Sequence, residues 1–99
     1  MTEKQLKGQA LNPPPIAFSN SASTEIARVW VQPDSFNQMV LLTTWDDPGA
    51  WGLLLVDLAR HAANAYANEG HDHQEALDRI KQLFDAEWFK PTDVPFQVK

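Results

Sequence analysis

The spacing of hydrophobic positions changes along the chain, from near-continuous runs to a helical repeat. In TEIARVWVQ, Thr24 to Gln32, and QMVLLTTW, Gln38 to Trp45, aliphatic, β-branched and aromatic residues are dense. Each run is followed by Pro or Asp, so two strands are predicted. The link PDSFN is short enough for an antiparallel hairpin. Farther on, Trp51, Leu55, Leu58, Ala62 and Ala65 recur at steps of four and three, and Leu54 and Tyr66 widen the stripe. That spacing predicts a helix over 48–67. Leu77, Ile80, Leu83, Phe84 and Trp88 form a second stripe.

The boundary residues fit these elements. Asp47 is a good N-cap and Pro48 suits the first helical position. Carboxylates at Asp46 and Asp47 also complement the positive end of the helix dipole. Gly70 is placed to stop the helix. Asp72 and Glu75 have capping-box spacing for the next one, which ends at Lys90 and Pro91. The short link NEGHD predicts an antiparallel helical hairpin.

Side chains alternate across a strand, so each strand has two faces. The first strand divides into Ala27, Val29, Val31 and Ile26, Arg28, Trp30. The second divides into Met39, Leu41, Thr43, Trp45 and Val40, Leu42, Thr44. Neither side is plainly polar, whereas a sheet with one solvated face alternates cleanly. A two-stranded hairpin is also barely stable alone. The expected fold class is therefore α+β in ββαα order, with the helical hairpin packed on one sheet face. A second copy of the chain is expected to cover the other, since two-fold pairing is the commonest form of association. Residues 1–23 read as an irregular arm with three consecutive prolines, 24–91 as the domain and 92–99 as an irregular tail. In the tail, Val94, Phe96 and Val98 alternate, as a short edge strand would.

Composition narrows the function classes. A chain of 99 residues fits one small domain. Alone it would bury about 60–65% of its unfolded surface and be marginally stable. It has no cysteine, so disulfides and thiolate metal sites are excluded. The net charge is −5 and no Lys/Arg cluster stands out, which opposes nucleic-acid binding. MTEKQLKGQA has no apolar core of the secretory kind, and the run from Trp51 to Val56 is too short to span a bilayer. The expected location is the cytoplasm, with no membrane partner.

TTWDDPGAWG, Thr43 to Gly52, concentrates the candidate chemistry. Asp46 and Asp47 could serve as acid and base in a cleft lined by tryptophans, which requires the two to differ in burial. Capping explains them more simply. Gly52 lies inside the helix, where glycine costs about 1 kcal/mol relative to alanine, so a backbone or large ring is expected against it. A second constellation is His61, with Asp57 one turn away, together with His71 and His73; these are sensible ligands for a divalent ion but match no established spacing. No Gly-x-Ser-x-Gly elbow, Walker A loop or Gly-x-Gly-x-x-Gly fingerprint occurs, and no cofactor is implied. Four tryptophans are many for this length, and tryptophan is enriched in association surfaces. Trp30, Trp45, Trp51 and Gly52 are the candidate interface. Trp88 and Phe89 are adjacent on a helix and cannot both face one core.

EIARVWV, TTWDDPGAWGLLLVDLARHAA, and EALDRI followed by LFDAEW and PTD give the block from Thr24 to Asp93 a resemblance. It resembles a family of short, uncharacterised bacterial proteins, a domain of unknown function. The resemblance implies no assigned activity, cofactor or catalytic residue. The sequence is best read as a non-enzymatic homodimeric interaction or regulatory module. Two alternatives stand beside it: a small-molecule binder or enzyme using Asp46 or Asp47, and a metal protein using His61, His71 and His73.

Overall fold

The structure is a computed structural model that describes residues 11–34, 37–91 and 96–97. In chain order the elements are α1 (Ile16–Ser19), β1 (Ala27–Trp30), β2 (Gln38–Leu41), α2 (Gly49–Asn68), α3 (His73–Phe89) and β3 (Phe96–Gln97). The fold is α+β, with an antiparallel strand hairpin followed by helices in ββαα order. Residues 1–10, Ser35, Phe36, 92–95, Val98 and Lys99 lie outside the described residues. They include most of the expected arm's start and the middle of the hairpin link.

β1 and β2 pair antiparallel, with Ala27 opposite Leu41, Arg28 opposite Val40, Val29 opposite Met39 and Trp30 opposite Gln38. This register puts Ala27, Val29, Met39 and Leu41 on one face. Arg28, Trp30, Gln38 and Val40 share the other. Both strands are shorter than their apolar runs. The ladder reaches one bond farther, from Leu42 N to Ile26 O, before the chain turns at Thr43. The tail does add an edge strand: β3 pairs parallel with β2, Gln38 opposite Phe96 and Met39 opposite Gln97, giving sheet order β1-β2-β3. Within the arm, α1 is one helical turn opened by Pro14 and Pro15, whose carbonyls accept from Ala17 and Phe18.

α2 starts and stops on local chemistry. Pro48 already has helical angles (φ −58°, ψ −20°), and the Asp47 carboxylate accepts the Gly49 N–H at 2.8 Å. At the other end Gly70 has φ +100°, a left-handed conformation that suits glycine. His71 N donates to Tyr66 O at 3.1 Å and Gly70 N to Ala67 O at 3.0 Å. These two bonds form a Schellman motif. The rings of Tyr66 and His71 meet edge-on at 5.4 Å, sealing it. Asp72 then caps α3 by accepting from Glu75 N at 2.9 Å. The reciprocal bond of a capping box, from Glu75 back to Asp72 N–H, is not made among the described residues. On the outer side of α3, Lys81 pairs with Asp85 and Gln74 with Asp78, each four residues on.

The packing departs from expectation. α2 and α3 contact each other, and the strands contact each other, but neither helix lies against a strand. Among the described residues the helical hairpin is not packed on a sheet face. Among the described residues Ala63 alone is buried. Ala59 and Ala67 lie on the same side of α2 and are half-buried. Small side chains let α3 approach there. The larger stripe one residue away stays open, with Leu58 59% exposed. Burial fades along the alanine side toward the helix start: Val56 is exposed, and a Cβ added at Gly52 would meet nothing within 4 Å. The close neighbour expected at Gly52 is therefore not supplied by the described residues. No described helix is long and apolar enough to cross a membrane.

Two substitutions test the helical hairpin. Gly70→Ala forces an L-residue into the left-handed region and should cost about 1–2 kcal/mol. Asp72→Ala removes a cap and should cost about 1 kcal/mol. Thermal melts should show each variant several degrees below the parent, since 1 kcal/mol moves a domain of this size by about 4–8 °C. An unchanged melting temperature for both would mean that this link does not hold the hairpin.

Candidate functional site

The stretch from Thr43 to Gly52 forms an elbow between the sheet and α2. Its centre is the carbonyl of Thr43. It accepts the Trp45 N–H at 2.6 Å and the indole N–H of Trp51 at 2.9 Å. Thr44, between the first two, has φ +66°. A bond from residue i+2 back to residue i around a positive φ is the pattern of a classic γ-turn, which is rare and strained. A β-branched residue there is a true outlier. The Thr44 hydroxyl offsets part of the strain by donating to Leu42 O at 3.0 Å. The rings of Trp45 and Trp51 then meet edge to face, 5.6 Å apart at 79°, an arrangement worth about 0.5–1.5 kcal/mol beyond area burial.

The elbow accounts for four of the singled-out residues. Trp45 and Trp51 are brought together, and Trp51 is half-buried. Asp47 is occupied as the helix cap. Asp46, beside it, is exposed. The two carboxylates therefore do not show the contrast in burial that an acid–base pair needs. Trp30 stands apart on β1, 43% exposed and in ring contact with no other aromatic among the described residues. Gly52 is exposed on the open part of α2.

The histidines do not converge. His61 lies in the middle of α2, His71 packs on Tyr66 at the helix end, and His73 opens α3. Among the described residues no three His, Asp or Glu side chains gather as metal ligands. The reason is geometric: two turns of helix and the Schellman link separate the rings. Within one chain, then, His61, His71 and His73, the side chains of the metal alternative, do not form a ligand set among the described residues.

Two features escaped the sequence reading. One is the left-handed Thr44, which no glycine or asparagine signals. The other is the stack of Phe84 on Trp88, 5.4 Å apart at 18°, left outside the hairpin with Trp88 66% exposed. Phe89 is exposed as well, so neither member of the adjacent pair faces a core. The described concavities are open grooves. One runs beside β1 and β2 along Ile26, Arg28, Val40 and Leu42, and the other lies between the arm and β1.

Comparison with known proteins places this geometry. No curated protein matches the chain significantly. Among the solved structures that do match is one described as a "putative pyruvate dehydrogenase from the photosynthetic bacterium Rhodopseudomonas palustrus CGA009". It is 38% identical, with a TM-score of 0.73, and the match covers 95% of this chain and 98% of that one. The likeness therefore spans sheet and helices together. A family model, described as a domain of unknown function (DUF5076), matches residues 10–92. That match takes in β1, β2, the elbow and both long helices, and the chain belongs to this DUF5076 family.

Proposed function

We propose that the protein is a non-enzymatic interaction module that works as a homodimer. One observation carries the reading: both layers of the fold keep apolar faces uncovered, and Ala63 alone among the described residues is buried. Monomeric soluble proteins rarely leave contiguous apolar surface of this kind open. Gly52 on α2 and the outer edges of Trp45 and Trp51 belong to the contact surface, while Trp30 lies on the sheet face opposite Ala27, Val29, Met39 and Leu41. Aromatic side chains of this type dominate the energetics of interfaces.

The name of the solved neighbour points to a second reading, an enzyme acting on a 2-oxo acid. Oxidative decarboxylation of such a substrate develops a carbanion that a bound electron sink must stabilise. A site for it would be concave, with a few polar groups converging. What favours the interaction reading is the kind of surface present: open grooves, one along Ile26, Ala27, Val40, Leu41 and Leu42 and one between the arm and β1, with Asp47 already engaged as a cap.

Light scattering at micromolar concentration should give about twice the 11.2 kDa chain mass. Leu58→Glu places a charge on an exposed helical position, so it should leave helicity intact while halving that mass. A parent protein that scatters as a monomer would remove the homodimer. Zinc should leave the melting temperature in place, because an ion that binds the native state must raise it; an upward shift would restore a histidine site.

A further inference from the structure

The sheet and the helical hairpin are each unfinished, and each carries what the other lacks. The β1–β2 face of Ala27, Val29, Met39 and Leu41 has no charged or amide side chain. Val29 on it is 59% exposed, and Ala27, Met39 and Leu41 are half-buried. On α2, Leu55 and Leu58 are exposed and Trp51, Leu54 and Ala62 are half-buried. An apolar helical stripe and an apolar sheet face are the standard complements of a two-layer fold. Among the described residues of one chain they do not meet.

The elbow keeps them apart. Thr43 O holds both Trp45 N and the Trp51 indole, and Asp47 holds the first turn of α2. The direction in which α2 leaves β2 is therefore set by Thr43, Trp45 and Trp51, joined through one carbonyl, with the helix start held separately by the Asp47–Gly49 bond. A second copy related by two-fold symmetry is free of that constraint. In such a pair every contact is made twice, so one docking geometry covers both sheets and both hairpins.

The exposed area fits this occupant. The chain exposes 9022 Å². Even if the eighteen residues outside the description counted as unfolded chain, at about 160 Å² each, the other 81 would expose roughly 6,100 Å². A compact chain of that size exposes about 4,900 Å². The surplus of about 1,200 Å² exceeds the roughly 800 Å² per partner of a standard stable interface.

We infer that the homodimer is reciprocal: the α2–α3 hairpin of each copy packs on the Ala27, Val29, Met39, Leu41 face of the other. This rests on the homodimer reading and adds which surfaces meet. The chain's lack of cysteine makes the test direct. A tagged Val29→Cys chain is refolded with an untagged Leu58→Cys chain and treated with a short bismaleimide. The expected main product joins one tagged to one untagged chain. Products joining only Val29→Cys to itself, or only Leu58→Cys to itself, would overturn the reciprocal arrangement while the scattering mass still showed a dimer. In a second experiment a flexible Gly-Ser insert between Trp45 and Asp46 releases the elbow. The hairpin should then close on its own sheet, halving the scattering mass with helicity retained. A folded insertion variant that stays dimeric at the parent's concentrations would overturn the proposal as well.

Discussion

One carbonyl governs the architecture. Thr43 O accepts the backbone N–H of Trp45 and the indole N–H of Trp51, and so ties the end of the sheet to the start of a twenty-residue helix. Each bond contributes on the order of 1 kcal/mol. Against them stands the left-handed Thr44, with strain of about 1–3 kcal/mol. Such strain persists where surrounding contacts over-determine it, and here the two indoles and the Thr44 hydroxyl do so. The result is a fixed exit angle for α2. That angle explains why the hairpin of helices does not lie on its own sheet.

The helical hairpin shows a related division of labour. Its inner seam uses alanine. Ala63 is buried with Ala59 and Ala67 beside it, so two backbones come close while little apolar area is covered. The leucines and tryptophans, which carry most of the chain's hydrophobic driving force, point elsewhere. Burying a Leu or Phe fully contributes about 1.5–3 kcal/mol. Leu55, Leu58, Phe84 and Trp88 withhold that contribution from the isolated chain. A small acidic protein organised this way has its local structure settled by caps and seams and most of its burial still to be gained.

This organisation also recasts the conspicuous chemistry of TTWDDPGAWG. Asp47 accepts a helix N–H, Trp51 donates to a carbonyl, and Pro48 begins a helix where its missing N–H costs nothing. The polar groups there are spent on shape. The histidines near the second link serve local ends as well, with His71 closing a Schellman motif against Tyr66. In a family described as a domain of unknown function, the feature left to explain is the set of exposed large apolar side chains on β1, α2 and α3.

Local signals were legible in the residues by themselves. Asp47, Pro48, Gly70 and Asp72 mark helix ends because capping involves neighbours within four positions. The two strands and two long helices follow from period, and so does their order. The strand lengths did not: Thr43 to Trp45 continue an apolar run, but a bond from Trp51, six residues beyond Trp45, pulls them into a turn. Period marked the stripe Trp51, Leu55, Leu58, Ala62 and Ala65 on α2, but α3 is met by the neighbouring alanine side, at Ala63. That choice belongs to close approach by α3, which depends on three-dimensional fit. What each element is follows from contacts a few residues long, which the residues alone determine; tertiary structure decided which faces meet and which remain open, because that depends on one strained elbow.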